Sequence, residues 1–154
     1  MFRKMRRKDK QLPNEETIEI LKSGEEGILA TIGKDDYPYA VPLNYAYHEN
    51  SIYFHCALSG HKIDNMNHNS KVSFCVVRDT KLLPEEFSTK FKSVVLFGTA
   101  QEVFDDEKKE GLMVLIKRLS GDHIPAGEKY IKNAWDQTRV FRVDIDHITG
   151  KAGK

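Results

Sequence analysis

Short extended runs of apolar residues, each ended by glycine, proline or a polar turn, constrain the fold of this chain more than any other feature. They cover residues 27–33, 37–47, 52–57, 72–77, 93–104 and 138–145. The last run, TRVFRVDI, alternates between polar and apolar residues, as a strand with one solvated face does. Strands of this length joined by short polar turns pair as antiparallel hairpins. The sequence therefore predicts a mainly β fold, a small antiparallel barrel of Greek-key type with peripheral helices.

Three segments have the pattern of short helices around these strands. Asn14 is positioned to cap the first helix, and Gly24 is positioned to end it. The second helix is predicted over residues 62–68. The third begins after a cap at Asp105 or Asp106, and its apolar stripe consists of Leu112, Leu115, Ile116 and Leu119.

Length and charge limit the possible partners. The 154 residues fit a single domain, residues 1–154, in which residues 1–12 form a basic N-terminal arm. Lys and Arg number 24 against 23 Asp and Glu, for a net charge of +1, whereas nucleic-acid-binding proteins usually carry a clear positive excess. No stretch approaches the roughly 20 apolar residues that cross a bilayer, and no signal peptide follows the arm. We therefore expect a cytoplasmic protein that binds neither nucleic acid nor membrane.

The remaining segment between strands, residues 78–91, is polar and contains Pro84. Its length and composition predict a long loop, of the kind that is functional or mobile.

The cysteines and histidines form no metal-binding or nucleophilic pattern. Cys56 and Cys75 lie inside apolar runs without CxxC spacing, so we interpret them as packing thiols. The histidines are scattered and HExxH is absent, so no metal site is expected. The sequence also lacks GxSxG, GxxxxGK[ST] and GxGxxG, which argues against a serine hydrolase, a P-loop NTPase and a Rossmann domain.

One strand-to-helix turn carries groups that suit a phosphate. The strand ending near Cys56 is followed by Ser59 and Gly60, and a helix bearing His61 and Lys62 begins within two residues. Unpaired N–H groups at a helix start attract anions, and the hydroxyl, imidazole and ammonium groups add to this effect. An ordinary capped turn explains these residues equally well.

A second segment, PYAVPLN over residues 38–44, is an extended run with two prolines. Proline removes a backbone donor, so this run is expected at a sheet edge or a bulge. Backbone groups that no strand uses would suit a flat heteroaromatic ligand. Taken alone, an ordinary edge strand is the simpler interpretation.

Together, the segments resemble the pyridoxamine 5′-phosphate oxidase-like superfamily. LSGHKIDNMNHNSKVSF, residues 58–74, is similar to the phosphate-binding turn of that superfamily. The wider pattern is closest to the nitroimidazole-resistance (Nim) reductases, through MRRKD, ILATIGKDDYPYAVPLNY, IYFHCALSGHK, SVVLFGTA and ITGK. These pieces span nearly the whole chain in the same order. The chain thus resembles an FMN-binding split β-barrel.

The resemblance implies a homodimer with two FMN sites, each built by both subunits. The residues implied along the isoalloxazine are Tyr39, Ala40, Val41, Pro42, Leu43 and Asn44. Those implied beside the ribityl chain and phosphate are His55, Cys56, Gly60, His61 and Lys62. Ser93, at the start of the fifth strand, is implied to face the pyrimidine edge of the flavin, with Trp135 and Lys151 in the region that closes the site.

The function implied is that of an FMN-dependent oxidoreductase that reduces small electrophiles such as nitroaromatic compounds, with NAD(P)H as a possible electron donor. His55 is our first choice for a proton donor, because imidazole titrates near neutral pH, although a packing role fits it equally well. One alternative is a non-enzymatic flavin- or haem-related binding protein of the same fold. A pyridoxamine 5′-phosphate oxidase is another, but its basic pair is Arg-Lys where this chain has His61-Lys62, and its arginine-rich ending is missing here.

Overall fold

Seven antiparallel strands form one curled sheet in the computed structural model, which describes residues 1–153. The strands are β1 (Glu26–Ile32), β2 (Pro38–Asn44), β3 (Ala46–His48), β4 (Ser51–Cys56), β5 (Lys71–Leu83), β6 (Ser88–Val103) and β7 (Arg139–Gly153). Their order across the sheet is β2-β1-β5-β6-β7-β4-β3. The prediction of a mainly β split barrel is confirmed, and β2 is an edge strand, as its prolines indicated.

The core lies on the concave face of the sheet. Alternate residues of β1 are buried, which is the pattern of a strand with one packed face. Leu29, Phe54, Phe74, Leu96 and Val143 are almost completely buried there. Burial of one such side chain contributes about 1.5–3 kcal/mol, so this face accounts for much of the driving force for folding.

Four α-helices lie outside the sheet: α1 (Asn14–Ser23), α2 (His61–His68), α3 (Asp105–Leu119) and α4 (Ile124–Ala134). The predicted caps at Asn14 and at Asp105 or Asp106 are wrong. These residues lie inside their helices, and Pro13 and Phe104 occupy the cap positions without a side-chain cap bond. Gly24 ends α1 as predicted.

Two segments contain more regular structure than the sequence indicated. Residues 78–91 were expected to form a loop, but most of them belong to a hairpin in which Leu82 pairs with Thr89 and Lys81 with Lys90. Phe87 turns the chain in the left-handed region, at φ 50°. Both faces of this hairpin contact solvent, so its side chains lack the apolar alternation by which strands are recognised. β7 likewise continues to Gly153, beyond the predicted end at Ile145.

A second apolar cluster joins α3 and α4 to the outer side of β4. Tyr53, Leu112, Leu115 and Ile131 are buried in it. The backbone of α3 approaches so closely that a Cβ at Gly111 would stand 2.7 Å from the ring of Tyr53. No helix within residues 1–153 is long and apolar enough to span a membrane.

Candidate functional site

The turn between β4 and α2 has the geometry of an anion cradle. Gly60 precedes the helix with φ 158° and ψ 169°, a conformation that is essentially confined to glycine. No atom lies within 4 Å of the position that its Cβ would take. The first bond of the helix runs from the N–H of Asp64 to the carbonyl of Gly60, so the amides of His61, Lys62 and Ile63 precede the helical ladder. Amides in this position bind anions.

Helix α2 is fixed to the sheet by its buried face. Ile63 and Met66 enter the core. Asn65 is also buried, and its side-chain amide donates to the hydroxyl of Thr31 on β1 at 3.0 Å. Gly33 permits this approach, because a Cβ there would stand 2.2 Å from the Asn65 side-chain oxygen. The helix start is therefore held in a defined position relative to β1.

An aromatic stack links the edge strand β2 to the same helix start. The rings of Tyr39 and His61 lie 3.9 Å apart between centroids, with 27° between their planes. Tyr39 belongs to the proline-containing run and His61 to the anion cradle. Two segments that the sequence analysis treated separately thus meet in the structure.

The two residues at the end of β4, His55 and Cys56, interact electrostatically with the ammonium of Lys62. The imidazole of His55 is partly exposed. Its pKa is lowered, first because neighbouring atoms desolvate the ring and second because the positive charge of Lys62 disfavours protonation. Burial raises the pKa of the Cys56 thiol, although Lys62 and Arg139 oppose this effect. At neutral pH, His55 is therefore mainly an uncharged imidazole and Cys56 a protonated thiol.

Arg139, the first residue of β7, is a site residue that the sequence analysis missed. It lies opposite Cys56 in the strand register and donates from its guanidinium to the carbonyl of Leu58 at 3.0 Å. Its Nε also donates to the carboxylate of Glu102 at 3.1 Å, and both side chains are partly buried. Arg139 thus ties the turn before the cradle to the sheet. The available signal was the first of two arginines, Arg139 and Arg142, in the alternating run 138–145.

Several other predicted site residues face a different surface, the convex side of β1, β2, β5, β6 and β7, which we call the outer sheet face. Ala40 and Pro42 lie on it opposite Ala30 and Ile28 of β1, and Ser93 lies opposite Lys151 of β7. This face also carries exposed large apolar side chains, namely Ile28, Ile32, Val77, Val95 and Phe97. Ser93 was expected at the start of its strand, but the strand begins at Ser88.

The remaining predicted site residues make their contacts elsewhere in the fold. Val41 and Leu43 pack against the core, and the side-chain amide of Asn44 donates to the carbonyl of Glu25 at 3.1 Å. Trp135 packs beside the second apolar cluster, where the ammonium of Lys108 stands 4.3 Å from the centre of its ring. Among the described residues, Trp135 contacts neither the cradle nor the outer sheet face.

Potential metal ligands converge at one place in the described part of the chain. His48, Glu49 and Glu110 offer ligand atoms that all lie within 4.8 Å of one another. The imidazole Nε2 of His48 stands 3.2 Å from the carboxylate of Glu110. Both glutamates are exposed, and we describe this contact as a surface hydrogen bond between the end of β3 and α3.

The cradle residues fit a phosphate monoester such as that of FMN. The open position at the Gly60 Cβ leaves room for phosphate oxygens against the helix amides, and Lys62 supplies a positive charge. The stack of Tyr39 on His61 places an aromatic surface from the edge strand next to this position.

A family model and a relative of known sequence match this chain over most of its length. A family model described as pyridoxamine 5′-phosphate oxidase matches residues 13–152. An uncharacterised protein of Rhizobium meliloti (strain 1021) is 35% identical over 150 residues, covering 92% of this chain and 93% of the relative. The resemblance found in the sequence is thereby confirmed.

Solved structures also share the fold. An FAD-binding protein from Mesorhizobium loti superimposes with a TM-score of 0.66 at 27% identity, covering 94% of this chain and 97% of that chain. A candidate 5-nitroimidazole antibiotic resistance protein from Bacteroides thetaiotaomicron superimposes with a TM-score of 0.76 at 21% identity, covering 92% and 86%. The second similarity, at this identity, is evidence for the fold alone.

Proposed function

The chain belongs to the pyridoxamine 5′-phosphate oxidase family, and from this membership we propose that it is an FMN-dependent oxidoreductase that reduces small nitroaromatic electrophiles as a homodimer. The observation that carries the proposal is the start of α2, where three free helix amides follow Gly60, Tyr39 of the edge strand stacks on His61, and the charge of Lys62 acts on His55. The FAD-binding relative from Mesorhizobium loti supports a flavin as the ligand class.

Phosphate binding, positioning of the turn and proton transfer are assigned to different residues. The helix amides and Lys62 hold the phosphate, and Arg139 positions the turn that leads to them. FMN bound there would supply the redox chemistry between NAD(P)H and the acceptor. His55, at the strand end within reach of the Lys62 charge, is mainly uncharged at neutral pH, so it takes up a proton from solvent and passes it on to the reduced acceptor; its lowered pKa makes the imidazolium form the stronger acid.

A homodimer explains why the predicted residues lie on two surfaces. Ala40, Pro42, Ser93 and Lys151 share the outer sheet face with several exposed apolar side chains. Exposed apolar patches of this kind mark interaction surfaces. A second copy packed on this face would bury the patch and bring these residues towards a flavin held by the other protomer.

FMN binding is tested with a matched pair of lysine variants. Lys62→Gln removes the cradle charge, whereas Lys117→Gln removes an exposed charge on α3 away from the site. Titration of FMN, followed by flavin fluorescence, should give a dissociation constant about tenfold to a hundredfold weaker for Lys62→Gln, because a charge-assisted phosphate contact contributes about 1.5–3 kcal/mol. Equal constants for the two variants would exclude the cradle as the phosphate site.

A turnover assay distinguishes the proposed oxidoreductase from a non-enzymatic binding protein and from a pyridoxamine 5′-phosphate oxidase. The FMN-loaded protein should oxidise NAD(P)H in the presence of a nitroaromatic acceptor, and His55→Ala should keep FMN but slow this reaction. FMN binding without turnover would leave a flavin-binding protein, and tight binding of haem in place of FMN would leave a haem-related one. Oxidation of pyridoxamine 5′-phosphate would instead assign the oxidase activity itself.

The dimer is tested by light scattering on two charge insertions. Val95 lies on the outer sheet face and is 38% exposed, and Phe104 is 62% exposed at the start of α3. Val95→Asp should yield monomers at micromolar concentration, because an unpaired carboxylate is costly to bury, and Phe104→Asp should remain dimeric. A monomeric wild-type protein would remove the shared site from the proposal.

A further inference from the structure

A cleft of about 430 Å³ lies between α3 and α4, and none of the roles described above uses it. Leu115 and Ile116 of α3 form one wall, and Tyr130 and Ile131 of α4 form the other. His55, at the end of β4, lines the same cleft. The volume is within the range of about 300–1,000 Å³ that is usual for sites of small molecules.

The absence of charged residues from the described lining is the property that most restricts which ligands this cleft can bind. Asp, Glu, Lys and Arg make up 31% of the chain, yet none of them is among the described residues that line the cleft. The lowered pKa of His55 keeps that imidazole mainly uncharged at neutral pH. A charged ligand would therefore lose its hydration here without meeting an opposite charge, which is unfavourable.

Polar side chains stand at the rim of the apolar walls. Within the described part of the chain, the exposed side chains of His55, His123 and Tyr130 make no hydrogen bond to another protein group, and all three line the cleft. Imidazole and phenol groups donate or accept hydrogen bonds without requiring a charge. The phenol ring of Tyr130, which is 64% exposed, also offers a stacking surface.

Small residues keep the two helices from filling the cleft. Ala126, Gly127 and Ala134 of α4 all line it. At Gly127 the helices touch, since a Cβ there would stand 2.6 Å from the side chain of Ile116. The cleft is thus bounded by a close helix contact and is open where Ala126 reaches the surface.

We propose that this cleft binds a small uncharged aromatic molecule, whose ring packs against the aliphatic walls and whose polar atoms meet His55, His123 and Tyr130. His55 connects the cleft to the cradle, because the charge of Lys62 acts on it. The further statement that this molecule is the electron acceptor rests on the proposed function.

The experiment measures binding of two probes of nearly equal shape, neutral 4-nitrobenzamide and anionic 4-nitrobenzoate, by equilibrium dialysis at pH 7. Two substitutions at one exposed position supply the matched variants. Ala126→Phe fills the cleft, and Ala126→Ser keeps its volume. We expect the amide to bind at least about tenfold more tightly than the carboxylate. We also expect Ala126→Phe to weaken amide binding by at least about tenfold, and Ala126→Ser to change it by less than about twofold.

FMN titration on the same samples separates failure of the cleft proposal from failure of the flavin proposal. Amide binding that is absent, equal to that of the carboxylate, or unchanged in Ala126→Phe would overturn the cleft as a site, whether or not FMN binds. Amide binding with the expected pattern in a protein that ignores FMN would support the cleft and refute the flavin proposal. If Ala126→Phe disrupts a dimer instead, the cleft is covered by a second copy and the proposal fails.

Discussion

Replacing Tyr45 by phenylalanine removes one buried hydroxyl that joins the sheet to the end of α1. Tyr45 is completely buried, and its hydroxyl donates to the carbonyl of Leu21 at 2.6 Å. The same carbonyl also accepts the N–H of Gly24 at 3.4 Å, so it keeps one partner when the phenol is lost. Loss of the hydrogen bond should therefore cost about 1–2 kcal/mol at pH 7, near the usual net contribution of such a bond.

The same hydroxyl makes stability depend on pH in the alkaline range. Burial raises the pKa of Tyr45 from its ordinary value of 10.0 to about 12. Between these values the unfolded chain has lost the phenolic proton while the folded chain keeps it, so the unfolded state binds fewer protons and the free energy of unfolding falls as pH rises. Two units correspond to about 2–3 kcal/mol, at about 1.4 kcal/mol per unit.

The wild-type protein and the Tyr45→Phe variant should therefore exchange their order of stability. At pH 7 the wild type should be the more stable by about 1–2 kcal/mol, or about 2–8 °C in Tm. Approaching pH 12 it should lose about 2–3 kcal/mol that the variant does not lose, because all other titrating groups are common to both.

Urea unfolding followed by far-ultraviolet circular dichroism, at intervals from pH 7 to pH 11.5, measures both effects. The control is Tyr37→Phe, at a tyrosine that is 75% exposed, and its stability should stay parallel to that of the wild type at every pH. A constant difference between wild type and Tyr45→Phe from pH 9 to pH 11.5 would refute the assignment of a buried, proton-holding phenol.

Three further predictions concern the site and the sheet. Lys62→Met should raise the pKa of His55 in an NMR titration, since the second cause of its lowering is removed; an unchanged pKa would place the ammonium elsewhere. Gly98→Ala should destabilise the protein by about 1–3 kcal/mol in urea unfolding, because its Cβ would stand 2.5 Å from a backbone oxygen. Gly121→Ala, with no atom within 4 Å of its Cβ position, should not, and equal effects would contradict the packing. Arg139→Gln should weaken FMN binding at least about tenfold by freeing the turn, and unaltered affinity would limit this arginine to a structural role.

The sequence by itself determined the features that depend on a few neighbouring residues. Apolar runs ended by glycine, proline or polar turns identified most strands, and the prolines of residues 38–44 indicated a sheet edge or a bulge, of which the edge is observed. The strand, Ser-Gly turn and helix around Gly60 were also predicted correctly, to within one residue of the start of α2. Such features are readable because strand pleat, turn conformation and helix start are set by local backbone geometry.

Features that depend on long-range contacts were decided only by the tertiary structure. The guanidinium of Arg139 meets a carbonyl 81 residues earlier in the chain, and nothing local marks that contact. Helix α4 contains Pro125 and Gly127, two poor helix formers, so its stability comes from packing on α3. The cleft beside it exists only because the two helices meet there.

The division of the predicted site between two surfaces has the same cause. Neighbouring residues of β2 such as Tyr39 and Ala40 point to opposite sides of the sheet, so one faces the cradle and the other the outer sheet face. A sequence motif places both in one segment, but the pleat and the pairing of distant strands decide which residues share a surface.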